Sequence, residues 1–495
     1  MNPLCLALAL GLAVAGAGAL PVAAAPRTDI NIGMQLEPPH LDPTAGAAAA
    51  IDEVVYANVF EGLTRFAADG TVQPDLAESW EIAPDGLSWV FHLRAGVSFH
   101  DGTPFTAEDV VFSFDRAMAA ESTNAQKQLF DGINEVTAID DTTVEIGLDT
   151  PKGALLSNLA WGDAVIVSPA SADTNKQHPV GTGPFRFADW VQGDRVILER
   201  NPDYWGAAPA LERVTFRFIS DPTAAFAAMM AGDIDAFPVF PAPENLAQFE
   251  ADPRFRVIVG TTEGETILAM NNARKPFDDI RVREAIAHAI DRGAIIEGAM
   301  FGYGMPIGTH FAPHHPAYED LTAISAYDPG RSKALLAEAG FPDGFDATLA
   351  LPPPSYARRG GEIVAAQLRA VGIRPRIINV EWAQWLDQVF GRRDFDLTIV
   401  SHTEPLDIGI YARPDYYFGS DDPVMRALMK GVDATADPAE QNELYRAAQE
   451  RVARRFVNAF LFQLAKTGVA DARIEGLWVD MPTQANDMTD VRWTE

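Results

Sequence analysis

The sequence predicts an α/β protein, on three observations. Strand-like apolar runs alternate with helix-like amphipathic segments along most of the chain, which is the pattern of helices packed on sheets. The composition is that of a folded globular protein, with 47% hydrophobic, 22% charged and 9% aromatic residues. At about 150 residues per domain, 495 residues amount to roughly three structural units, enough to enclose a sizeable ligand. The charge balance then narrows the partners. Lys and Arg number 38 against 69 Asp and Glu, a formal charge of −31. Such a chain repels phosphate backbones and anionic membranes, so nucleic-acid binding is not expected.

The elements follow in order. Ile30–Met34 reads as an opening strand entering the Pro-rich loop Glu37-Pro-Pro-His-Leu-Asp-Pro43, and Asp52–Phe60 as helical. The turn formers Pro84-Asp85-Gly86 before Trp89–Leu93 indicate a hairpin. Thr106 is placed as an N-cap, with Glu108 and Asp109 in the first turn of a helix running to Ala120. Val282, Ala285, Ile286, Ala289 and Ile290 repeat at helical spacing and predict one helix over Asp278–Met300 with a core-facing stripe. Helices are expected at Ser332–Ala339, Gly361–Val371, Glu381–Phe390 and Pro438–Phe456, and strands at Thr348–Leu351, Arg376–Val380 and Asp396–Val400. Trp80, Trp89, Phe91, Phe99, Phe105, Phe112 and Phe114 would form the core of a small unit.

The chain opens on a signature of export. Leu4–Leu20 is almost wholly Leu, Ala, Val and Gly, followed by small residues up to Ala25 and then the polar Pro-Arg-Thr-Asp. This is the form of a cleaved signal peptide over 1–25, and the run is short for a spanning helix. The single cysteine, Cys5, lies inside it, so disulfides, Cys-ligated metal and a thiol nucleophile are not expected of the secreted protein.

The segment AESWEIAPDGLSWVFHLRAGVSFHDGTPFTAEDVVFSF from Ala77 resembles the signature region of the peptide/nickel class (family 5) of extracellular solute-binding proteins, which serve ATP-binding cassette importers. The resemblance continues in register through YANVFEGLTRF from Tyr56, GTGPFRFADW from Gly181, ERNPDYWG from Glu199, AGDIDAF from Ala231, NNARKPFDDIRVREAIAHAID from Asn271 and LLAEAGFPDGFDATL from Leu335. It implies a periplasmic-binding-protein-like fold of two α/β lobes joined by two crossovers, with an extra subdomain in the first lobe. On that layout lobe I takes 26–52, 179–270 and 463–495, the extra subdomain 53–178, and lobe II 271–462. The implied protein is a periplasmic receptor, expected to be monomeric, that closes on a peptide or peptide-like solute and hands it to a membrane permease. Opines, glycosides and metal chelates are the alternative cargo.

The layout places ligand contacts at Glu37, Phe240, Glu263 and the loop Ser401-His402-Thr403-Glu404-Pro405-Leu406-Asp407. Glu37 reads equally as a contact or a surface acid, Phe240 as a contact or core, and Glu263 as a contact or a solvated strand-end charge. Peptide-binding relatives carry a Trp and, three residues later, an Asp that pairs with the peptide amine; here those positions are His402 and Pro405. Glu404 or Asp407 could replace that anchor, since the requirement is a carboxylate hydrogen-bonded to an ammonium. His310, His314 and His315 match no regular metal spacing, so no metal or cofactor is expected. An exported hydrolase is the competing class, but Gly-x-Ser-x-Gly, His-Glu-x-x-His and a usable Cys are all missing. A binding protein rather than an enzyme is expected.

Overall fold

The computed structural model describes residues 27–46, 48–435 and 437–494; the signal-peptide reading over 1–25 lies outside them. Among the described residues no helix is long and apolar enough to cross a membrane.

One mixed sheet runs through the molecule, and two long strands, Phe255–Met270 and Asn458–Asp471, form its antiparallel centre. On one side lie Leu397–His402, Phe345–Leu351 and Ile373–Asn379. On the other lie Ala236–Phe237, Asp29–Met34, Arg213–Phe218, Arg195–Arg200 and Phe185–Val191. The central pair is continuous from Phe255↔Asp471 to Thr261↔Ala465, breaks, and resumes at Glu265↔Gln463. The break at 262–264 is a bulge, which bends the strand and increases its twist, so the halves of the sheet diverge there. Alternation along the strand sends Leu268 and Met270 to one core and Ile267 and Ala269 to the other, so this half of the sheet is buried on both faces.

A separate four-stranded antiparallel sheet includes the hairpin Ala77–Ile82 and Ser88–Leu93, with Gly86 at φ 71° in its turn. Its core contains Trp89, Phe91, Phe99, Phe105 and Phe114, with Trp80 packed against it. Phe112 instead leans on the core around Ile30 and Val54. The helix Ala107–Met118 is capped by Thr106 and Asp109, each side chain satisfying the other's backbone N–H. The stretch expected as one helix over Asp278–Met300 is two, Ile280–His288 and Arg292–Met300. Asp291, whose carboxylate accepts from the Ala294 N–H, caps a new helix, a local bond that the periodicity could not show.

Three of the sequence blocks meet at one buried carboxylate. Glu61 accepts from Thr182 Oγ1 at 2.7 Å, Tyr204 OH at 2.8 Å and Trp205 Nε1 at 2.9 Å. A Cβ on Gly181 or Gly183 would lie 2.0 or 2.5 Å from the carbonyl oxygens of Val59 and Asn58, so the Gly-Thr-Gly turn is a close backbone approach.

Candidate functional site

The two halves face each other across a cavity of about 120 Å³. One wall comes from Asp52 in the helix Ala49–Val55 and from Trp161, Gly162 and Asp163 at the short helical turn Gly162–Ala164; the facing wall is Thr403, Glu404 and Pro405. Gly162 allows the approach of the first two acids, since a Cβ there would sit 2.1 Å from Asp52 Oδ1. Asp52 Oδ1 and Asp163 Oδ1 are sealed from solvent and without a hydrogen-bond partner. Burial, then the charge of Asp163, pushes Asp52 well up, and burial pushes Asp163 to about 7. Beside them burial raises Glu53 to about 7, against the attraction of Lys466. None of the described residues lining this cavity is Lys or Arg.

Beneath Glu404 a second group is closed on itself. Leu406, at φ 58°, turns the chain so that Asp407 points inward. His310 Nε2 donates to Asp407 Oδ1 at 2.6 Å, and His402 Nδ1 lies 3.4 Å from Oδ2. Behind the rings, Tyr411 OH is 3.3 Å from His310 Nδ1 and takes a bond from Asn458 Nδ2 at 3.0 Å; Tyr417 OH is 3.2 Å from His402 Nε2. Burial pushes Asp407 up, but the His310 and His402 rings overcome it and hold the carboxyl below the ordinary range. In the bulge of the first central strand, Glu263 bonds His314 Nε2 at 2.6 Å, and Thr261 Oγ1 bridges His314 Nδ1 and Asp480. Glu265 lies in register between His402 and Gln463; burial, then Glu263 and Asp407, drives it well up.

The sequence candidates thus fall into separate places. Thr403 and Glu404 line the cavity. His402 and Glu263 are buried and Asp407 is partly buried beneath it in the paired networks, while Ser401 faces Thr266 across the sheet at 3.3 Å. Glu37 accepts from Trp190 Nε1 at 3.0 Å and the Gly193 N–H at 2.9 Å, away from the cavity. Phe240 packs edge-on against Phe237 and Phe249 at 5.6 and 5.2 Å, in the core. Sequence reasoning passed over Asp52, Asp163 and Glu265. Glu265 had a signal, an acid beside the apolar run Ile267–Met270; Asp52 and Asp163 had none, because each looks like an ordinary helix or turn acid.

Two half-sheets joined by a bent pair of strands, with a polar cavity between, define a two-lobed solute-binding protein. The family model for bacterial extracellular solute-binding proteins, family 5 (middle), matches residues 71–419, and the chain belongs to that family. It is 32% identical over 359 residues to heme-binding protein A of Haemophilus influenzae, covering 66% of this chain and 65% of that protein, so the match spans just under two thirds of the relative. It is 33% identical over 381 residues to the glutathione-binding protein of Pectobacterium atrosepticum, covering 76% and 73%. Among solved structures, the periplasmic binding protein AgaA of A. tumefaciens R10, in complex with agropinic acid, superposes with a TM-score of 0.77 at 27% identity, covering 94% of this chain and 99% of that one.

Proposed function

We propose that this chain is the periplasmic receptor of an ATP-binding cassette importer, and that it captures a peptide or peptide-like solute through a cationic group. It is exported by the signal peptide at 1–25, closes as a monomer over the solute and delivers it to a membrane permease without covalent chemistry. Lobe I comprises 26–52, 179–270 and 463–495, with the subdomain 53–178, and lobe II comprises 271–462. The observation that carries the reading is the cavity shared by both halves, lined by Asp52, Asp163 and Glu404 with no cationic side chain among its described lining residues. Unpaired carboxylate oxygens are costly to bury, and an ammonium or guanidinium supplies the missing charge and donors. A solute touching both walls binds the closed state better than the open one, which is what shifts the lobes. The relatives that bind glutathione and agropinic acid support a small solute with amino-acid character.

Calorimetric titration with glutathione, a free dipeptide and the same dipeptide N-acetylated tests this, together with native mass spectrometry of the gently purified protein. The free amine is expected to bind, acetylation to abolish binding, and Glu404→Gln to weaken it by about 30-fold, the equivalent of about 2 kcal/mol. Equal binding of the acetylated peptide, or a retained solute with no cationic nitrogen, would reject the reading.

A further inference from the structure

The buried group beneath the cavity has the makings of a second site. One ring nitrogen each of His310 and His402 and a carboxylate oxygen of Asp407 all lie within 4.8 Å of one another. A metal with ligands at about 2.0–2.2 Å draws three such atoms to about 3.3 Å apart. Each ring's other nitrogen already faces a tyrosine hydroxyl, Tyr411 for His310 and Tyr417 for His402. Metal-ligating histidines need such an outer partner, because it fixes the ring and takes the N–H that remains after ligation.

The independent observation is Glu265. It is 2% exposed, its Oε2 has no hydrogen-bond partner, and it lines the same closed space as His310 and Asp407. It is also the direct cross-strand partner of His402, so the two side chains leave the sheet on one face. The described residues around this space include Glu263, Glu265 and Asp407 but no Lys or Arg. The hydrogen bonds of Asp407 and the two imidazoles close among themselves, and they leave the Glu265 oxygen over.

We propose that His310, His402, Asp407 and Glu265 form a site for a first-row divalent metal ion held directly by the protein, beside the bulge in the first central strand. Two imidazoles and two carboxylates suit Zn²⁺, Ni²⁺ or Co²⁺ over Mg²⁺ or Ca²⁺, which prefer all-oxygen shells. The ion would neutralise the carboxylates and tie the first central strand, through Glu265, to the 401–411 loop. The site requires no chelating cofactor and does not rest on the identity of the solute in the cavity above.

The test uses untagged protein stripped with a chelator and dialysed, then titrated with Co²⁺ and with Zn²⁺. The expected result is one ion per chain, intense visible Co²⁺ bands of a four-coordinate site, and bleaching of those bands by Zn²⁺. His402→Gln and Glu265→Gln should each weaken binding at least tenfold, while His92→Gln, at an exposed histidine, should leave it unchanged. Circular dichroism checks that each variant is folded. Should a variant fail to fold, the wild-type spectrum decides alone, since weak six-coordinate bands, or no stoichiometric uptake, would overturn the site. So would binding that survives in folded His402→Gln or is lost equally in His92→Gln. Loss of amine binding in Glu404→Gln with normal Co²⁺ uptake separates the two proposals.

Discussion

Gly153 is the position from which lobe closure can be perturbed without touching the cavity. Its N–H donates to the carbonyl of Asp433 at 2.8 Å, at the end of the helix Pro423–Asp433, a contact that the proposed domain layout puts between the subdomain and lobe II. A Cβ built on Gly153 would lie 2.0 Å from Thr435 O, 2.3 Å from Val432 O and 2.5 Å from Gln441 Nε2. The first two are backbone atoms, so Gly153→Ala must push the surfaces apart by about 1 Å or more before normal contact is reached. The variant loses one hydrogen bond, about 1 kcal/mol, and adds overpacking of about 1–3 kcal/mol. Both act on the closed state alone, which gives about 2–4 kcal/mol against closure and a dissociation constant raised by about 30- to 700-fold. Titration of wild type and Gly153→Ala with the solute identified by mass spectrometry measures this, and small-angle scattering with saturating solute measures compaction. The empty protein should melt within a degree or two of wild type. An affinity within twofold of wild type, with full compaction, would refute the premise that this contact belongs to the solute-bound state.

Three other outcomes follow from the same geometry. Burial raises Asp163 to about 7, above the value near 3.9 of an unfolded chain, so the folded state carries an extra proton between about pH 4 and 7. That contribution to stability is present below this window and lost as pH rises through it. A cationic solute must displace the proton, so affinity should rise by up to about tenfold per pH unit from 5 to 7 and level off above, with Asp163→Asn flattening the rise in titrations across pH. Glu61→Ala strands three donors, a buried one from Thr182 and partly buried ones from Tyr204 and Trp205, and should cost about 3 kcal/mol in denaturant unfolding. Phe240→Ala should cost about 3–5 kcal/mol of stability while changing solute affinity less than threefold, because the ring contacts Phe237 and Phe249 rather than the cavity.

The fold was legible where local chemistry and long-range packing agree. The capped helix after Thr106, the Pro-Asp-Gly hairpin and the buried strands of lobe II each announce themselves within a few residues. The one long helix expected after Asp278 failed for the opposite reason: its apolar stripe is real and buried, but Asp291 starts a second helix through a bond to the backbone. At the site, residues in the loop Ser401–Asp407 could be nominated because the family resemblance places ligand contacts there. Asp52 and Asp163 could not, because they lie 111 residues apart in the chain and their significance is a juxtaposition, made by a glycine with no side chain to resist it. Glu37 illustrates the converse: a conspicuous acid in a Pro-rich loop, satisfied by an indole and a backbone N–H some 150 residues on.

The loop Ser401–Asp407 shows how a missing anchor can be replaced without a matching substitution. Pro405 carries no carboxylate, and the acids on either side are not equivalent. Asp407 is engaged by two imidazoles, so an ammonium could reach it only by breaking bonds that already hold its charge. Glu404 is exposed to the cavity and, among the described residues, its carboxylate accepts only from the neighbouring Thr403 N–H, so it keeps acceptor capacity toward a solute. A single carboxylate on one wall would bind a cation in either the open or the closed state. With Asp52 and Asp163 on the opposite wall, the cation gains most of its partners only when the walls meet. The acids of the cavity therefore couple occupancy to shape, and a permease that reads the closed form reads the presence of the cation.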